Sequence, residues 1–288
     1  MKKQKAFSLI ELSIVAVVVG ILIAGVMQGA GLIRASRLSD ARLFTSKSPV
    51  PEIEGLVAWY ETSLKTSLME SQSVDGVQIT EWYDRAPGST VGNTRKNTLS
   101  RSASASLTYV ASGINQIPSL NFTSSGIISI ANFYQGASVQ STIFMVIRPL
   151  VTPSSTTQII VDSGSTTTTT VGIKNNAVRL NAGTGVDTGA TNPASFSNSN
   201  DYIVNAYLNG SSSQVYVNNA ESRAGNAAVN AGTNSLTGLT IGADRSSASA
   251  FTGMISEVIV YNRPLKLQER KDVMNYLSKK YKISVTGL

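Results

Sequence analysis

Hydrophobic and polar positions divide the chain into three stretches of different period. From Leu12 to Ile33 there is neither a charge nor a proline. A helix of about 22 residues rises about 33 Å, enough to cross the hydrocarbon core of a bilayer. Polar residues then return with Arg34, Arg37, Asp40 and Arg42, and the spacing predicts that the helix stops before Ser48-Pro49-Val50-Pro51. Those prolines fit a stiff linker, which leads us to expect a head held beyond the helix. Past Gly55 the period becomes alternating. Ser141 to Ile147 and Gln158 to Val161 read as strands. Val171 to Leu180 reads as a hairpin turning at Asn175-Asn176, and Tyr202 to Val217 as another turning at Asn209-Gly210-Ser211. Leu239 to Gly242 and Met254 to Tyr261 complete the set, while the run Thr166 to Thr170 fits either a loop or an edge strand. Many short strands between Gly, Asn and Ser turns predict a β-sandwich. Near the C-terminus Val273, Leu277 and Tyr281 recur at a spacing of four, the apolar stripe of a helix packed on that sandwich. Most of its lysines are then expected to face solvent.

Charge sharpens the first stretch. Lys2, Lys3 and Lys5 precede the apolar run, so the short leader should stay cytoplasmic and the rest be translocated. Small residues at Ala24-Gly25 and Ala30-Gly31 leave an ordinary secretory cleavage as the alternative. Glu11 argues against it, because a carboxylate inside an apolar span is costly without a partner. Cleavage between Ala6 and Phe7 would put a new α-amino group about one helical turn from Glu11. In an assembly of parallel helices each Glu11 could then pair with a neighbour's amine.

The segment Lys5-Ala6-Phe7-Ser8-Leu9-Ile10-Glu11-Leu12 resembles the cleavage and methylation segment of type IV prepilins and pseudopilins. The resemblance implies removal of a leader, residues 1–6, by a prepilin peptidase, N-methylation of Phe7 and a role for Glu11 in filament assembly. Ala6 stands where the family usually has Gly. The helix then occupies 7–46, a linker 47–54, and the head 55–288.

The head resembles the concanavalin A-like, laminin-G-like jelly-roll domains. Gly55 to Glu61 is similar to the family's first strand, Glu81-Trp82-Tyr83-Asp84 to its Trp-x-Asp segment, and Ile117 to Phe122 to its next strand. The closing segment, Phe251 to Arg263 followed by Glu269-Arg270 and Tyr276-Leu277, is the most distinctive. Lys266 stands where the family usually offers a Ser or Thr N-cap, and Lys282 where Gly is common, so both helix ends should be modestly weakened.

Composition limits the chemistry. Cys and His are absent, which excludes disulfides, Cys/His zinc sites and Ser-His or Cys-His catalysis. The formal charge is +7, but no basic patch is interleaved with aromatics, so nucleic acid is not an expected partner. Glycan cleavage needs two carboxylates across the scissile bond. Glu257 is alone on its strand, and Glu81 and Asp84 flank a tryptophan expected to pack in the core. Asp162, Asp187, Asp201 and Asp244 fall among turns. With nearby asparagines the first three offer oxygen ligands to calcium, although turn-making is the ordinary use of such residues. Trp59 and Trp82 are likewise expected in the core rather than stacked on a sugar.

The expectation is a mostly β protein: a transmembrane pilin-type helix followed by a jelly-roll head with a short C-terminal helix. It would work as a minor pilin without enzymatic activity. It would sit single-pass in the bacterial inner membrane and then in a filament with other pilin subunits, its head binding a carbohydrate or protein ligand. A pseudopilin of a type II secretion system contacting cargo, or a membrane-anchored glycan-active enzyme, are the alternatives.

Overall fold

The computed structural model describes residues 8–91, 94–151, 155–164, 168–183, 188–190, 197–221 and 230–288. Helix α1 spans Leu9–Ser46, about 57 Å at 1.5 Å per residue. Ser8 caps it, and the Glu11 carboxylate accepts from the Ser8 N–H at 2.8 Å, closing a capping box. Leu12, Ile14, Val15, Ile21 and Leu22 are all exposed along its first half. Among the described residues this is the one helix long and apolar enough to cross a membrane.

Two antiparallel sheets form the head. The first runs, edge to edge, Gln214–Val217, Tyr202–Leu208, Ser141–Pro149, Gly253–Tyr261, Ser119–Phe122 and Leu107–Val110. Its seventh strand, Leu56–Glu61, shares one edge of Gly253–Tyr261 with Ser119–Phe122, each taking one half. The second runs Thr188–Ala190, Ala177–Asn181, Thr170–Lys174, Gln158–Asp162, Leu239–Ile241, Ile128–Ile130, Leu99–Arg101 and Glu81–Trp82. Asn175 and Asn176 take φ of 50° and 56° in the hairpin turn, the left-handed values that two-residue loops require. Of the threonine run, Thr170 opens an interior strand, while 165–167 lie outside the described residues.

Between the sheets lie Trp82, Phe122, Met145, Ile160, Val171 and Val258. A second apolar layer covers the other side of the seven-stranded sheet, where Trp59, Phe144, Ile259 and Tyr261 meet helix α2, Leu267–Tyr281. Its central strands are therefore buried on both faces, which is why Ser141–Pro149 and Gly253–Tyr261 read as continuous apolar runs. As expected, Val273, Leu277 and Tyr281 face the sheet.

Two expectations differ from the structure, and one lysine departs from the rest of its helix. The proline segment is not a free spacer: Val50–Glu52 forms a turn of 3-10 helix, Val50 is fully buried, and Tyr261 donates to the Val50 carbonyl at 3.1 Å. Val50 and Ile53 supply apolar contacts that prolines alone would not, so the segment adheres to the head. The end of α1 docks too, through buried Ala41 and Thr45 against α2. Finally, Lys280 points inward and is fully buried, because it follows Tyr276 by four residues and Leu277 by three on the apolar stripe. At the ends of α2, the Glu269 carboxylate accepts from Lys266 N–H and pairs with Arg263, and Lys282 takes φ of 53° without being glycine.

Candidate functional site

Ala6 and Phe7, the residues expected to be the site of processing and methylation, lie outside the described residues. Glu11 is exposed on the first turn of α1 with its carboxylate folded back on Ser8 N–H, so within one chain it already serves the helix start. That local use was not anticipated.

A polar cleft of about 310 Å³ opens over the eight-stranded sheet, with Thr157, Thr170, Asn181, Asp244, Arg245 and Ser249 among its lining residues. Asp162 forms its buried floor. One carboxylate oxygen accepts from Ser163 N–H at 2.7 Å and Thr169 N–H at 3.2 Å. The other accepts from the Arg245 backbone at 3.0 Å and its guanidinium at 3.2 Å. Burial pushes the Asp162 carboxyl above its ordinary range, against the backbone donors of Arg245, Ser163 and Thr169 and the Arg245 charge. Arg245 thus supplies the charge that a calcium ion would bring. Asp201 is taken by Arg148 in a two-pronged pair at 2.6 and 2.9 Å. Asp244 accepts from the Ser246 and Ala248 backbones in a turn, and Asp187 lies outside the described residues. Among the described residues, no three acidic groups converge.

The densest cluster of charge lies inside the head. Glu61 and Glu257 stand directly opposite each other on paired strands, and Lys280 reaches between them from α2. Its Nζ lies 2.8 Å from Glu257 Oε2 and 3.2 Å from Glu61 Oε2, with all three side chains fully buried. A bulge makes this possible. Pairing of Gly253–Tyr261 with Ser141–Pro149 slips between Ile255 and Glu257. One extra residue there exchanges the two faces of the strand. Ile255 points between the sheets, whereas Glu257, Ile259 and Tyr261 point toward α2. Trp59 Nε1 at 2.7 Å and Tyr276 at 2.8 Å donate to Glu257 Oε1, and Tyr281 donates to Oε2 at 2.9 Å. Glu61 accepts from the backbones of Ser63 at 2.7 Å and Leu64 at 2.9 Å and from the hydroxyls of Ser63 and Ser67. Burial pushes the Glu61 carboxyl up, but the Lys280 ammonium, the two hydroxyls and the Leu64 N–H outweigh it and hold it below its ordinary range. Helix α1 ends here as well, with Thr45 Oγ1 3.4 Å from the Tyr276 hydroxyl.

Glu257 is therefore not alone, as its strand implied. Its partner lies 196 positions earlier in the chain, and no local pattern joins them. Lys280 on the apolar stripe of α2 was the one sequence signal for a buried counter-charge. Both carboxylates are sealed from solvent, so neither can meet a polysaccharide. Glu81 stands apart, accepting from Tyr83 at 2.8 Å. Trp59 and Trp82 are buried as expected; Trp82 Nε1 donates to the Glu61 carbonyl at 2.9 Å.

A family profile described as the concanavalin A-like lectin/glucanases superfamily matches residues 122–269, just over half of the chain. The prokaryotic N-terminal methylation motif matches residues 1–27. No curated protein sequence matches. Among solved structures, domain 4 of an extracellular arabinanase from Geobacillus stearothermophilus, in complex with arabinotriose, is 13% identical with a TM-score of 0.52, over 76% of this chain and 98% of that one. Trypanosoma rangeli sialidase in complex with 2,3-difluorosialic acid is 18% identical with a TM-score of 0.50, over 80% of this chain and 34% of that one. This chain spans about a third of the sialidases' length. At such identities both likenesses bear on the fold alone.

Proposed function

We propose that this chain, which belongs to the concanavalin A-like lectin/glucanases superfamily and carries the prokaryotic N-terminal methylation motif, is a non-enzymatic, pilin-like filament subunit that displays a binding head. The observation that carries the reading is continuity. The methylation motif opens a single 38-residue helix whose apolar half is exposed and whose last turns are built into the head's second apolar layer. An exposed apolar helix needs lipid or other helices around it. A prepilin peptidase would cut between Ala6 and Phe7 and Phe7 would be N-methylated. The subunit would wait in the inner membrane and then pass into a filament beside other pilins, with its head outside the cell. Docking of α1 on α2 fixes the head to the shaft, which suits a terminal or low-copy adhesive subunit better than a tethered cargo receptor. Binding rather than turnover is supported by the burial of Glu61 and Glu257. A carbohydrate is the favoured ligand class, since the arabinanase domain of like fold holds arabinotriose; the Arg245 cleft offers polar contacts for one.

The test is mass spectrometry of the mature N-terminus in cells with and without prepilin peptidase. The expected chain begins at methylated Phe7 and reverts to the precursor when the peptidase is removed. A chain beginning at Met1, or after the apolar stretch, would overturn the pilin reading.

A further inference from the structure

The cluster around Lys280 has the composition of a reaction centre rather than of a simple ion pair. A lone buried lysine with one carboxylate would be an ordinary compensated charge. Here the amine lies between two carboxylates whose surroundings differ in kind. Glu257 carries donors on both oxygens: Trp59 and Tyr276 on Oε1, Tyr281 on Oε2. Glu61 is held by two backbone N–H groups and two serine hydroxyls, which keep it anchored and leave Oε2 against the amine. The Tyr276 and Tyr281 rings flank Nζ, their centroids 5.6 and 5.3 Å away. With the Trp59 ring packed edge-on to Tyr276, they close the site from water.

We infer that Lys280 and Glu257 condense into an intramolecular amide, with Glu61 as proton relay, tying α2 to the central strand Gly253–Tyr261. One proton moves from Nζ to Glu257 Oε2 along the 2.8 Å contact, leaving a free amine beside a neutral carboxylic acid. The amine lone pair forms the Nζ–Cδ bond while the carbonyl pair moves onto Oε1. Trp59 N–H and the Tyr276 hydroxyl are already aimed at that oxygen, so the developing charge meets fixed donors. Glu61 takes a second proton from the nitrogen across 3.2 Å and passes it to Oε2. The Cδ–Oε2 bond breaks and one water leaves. An ammonium and two carboxylates become an amide, a water and one carboxylate; the step is redox-neutral and needs no co-reactant. Holding the reactants in contact supplies the effective concentration that the uncatalysed condensation lacks. A dry interior also favours loss of a charge pair and of water. Glu61, the charge that remains, keeps its four other donors.

The link would matter to a displayed head, because α2 is also the element on which α1 docks. It would place a covalent bond between the docking helix and the centre of the sandwich.

The full-length protein, purified from membranes in detergent and then denatured, is digested with trypsin and its peptides are weighed. The expected product is a branched peptide joining 246–266, which contains Glu257, to 280–282, one water (about 18 Da) lighter than the sum of its parts. Trypsin should fail to cut after Lys280 for lack of its charge. Peptide weights in this region are independent of N-terminal processing. The Lys280→Arg variant should give only linear peptides, and Glu61→Gln should lose most of the branched species. A wild-type digest with 246–266 linear at full mass and cleavage after Lys280 overturns the inference. A branched peptide undiminished in Glu61→Gln overturns the relay.

Discussion

Replacing Lys280 with Met isolates what the buried charge contributes. Met fills most of the lysine stem's volume, so cavity formation adds little, and the change is chiefly the loss of a fully buried amine that touches two carboxylates. Removing one partner of a buried ionic group costs about 3–5 kcal/mol, because the remaining charge is left uncompensated. Two charges are left here, but Glu257 retains three donors and Glu61 four. We therefore expect a loss of about 3 kcal/mol at pH 8. The pH dependence identifies the cause. In the wild type, Glu61 sits below its ordinary range. Its contribution is therefore present above the unfolded carboxylate value and lost as pH falls through the folded one. In the variant the Lys280 charge no longer offsets the burial of Glu61, so the Glu61 carboxyl moves up and the contribution that acid would remove is already missing. The deficit should shrink by at least half between pH 8 and pH 5. The sign is the same if the wild type carries the amide link, since the variant again leaves Glu257 a free buried carboxylate. Urea titrations of the full chain in detergent micelles, followed by the fluorescence of buried Trp59 and Trp82, read this directly. A variant within about 1 kcal/mol of wild type at pH 8 would refute the argument, as would a deficit that is constant with pH.

Other positions give further checks. Burial lifts the Asp84 carboxyl to about 6 against donors from Ala86, Trp59, Asn97 and Arg85. The folded value is raised, so its contribution is full below pH 4 and is lost, by about 3 kcal/mol, as pH rises through 6; Asp84→Asn should flatten that part of the urea-midpoint profile. Gly242 has φ of 93°, and a Cβ there would overlap the Phe122 ring and the Gly126 carbonyl. Gly242→Ala should cost about 3 kcal/mol by the same titration. Lys282→Gly should raise the stability by about 1 kcal/mol, because glycine adopts the left-handed end of α2 without strain. Glu11→Gln should leave Phe7 exposed by cleavage as in wild type but remove the subunit from sheared filaments; undiminished incorporation would dismiss the assembly role of the charge.

Much of this protein was legible along the chain because it depends on local order. The apolar run from Leu12 announces a helix long and apolar enough to span a membrane, since length and hydropathy alone decide whether a helix can span. The segment Ala6-Phe7 with Glu11 four residues on is likewise a one-dimensional pattern, and it falls within the stretch that the N-terminal methylation motif matches. Alternation and turn residues such as Asn175-Asn176 set the hairpins, because side-chain period and φ preference are properties of neighbours. Short strands such as Leu99–Arg101 and Ile128–Ile130 escaped notice, having too few residues to show a period.

What only the tertiary structure decided is where the ends of these elements meet. Val50 and Ile53 became part of the head because a groove beside Tyr261 exists only after the sheet is built. Glu257 faces α2 instead of the sandwich interior because a bulge shifts its strand by one residue, and a bulge follows from strand pairing rather than from composition. Glu61, Glu257 and Lys280 come from the first strand, the last strand and the last helix, so their meeting depends on long-range register that no local pattern encodes. Burial then turns three ordinary charged residues into one strongly coupled group, because the low dielectric that makes a lone charge costly also makes each neighbour's charge count.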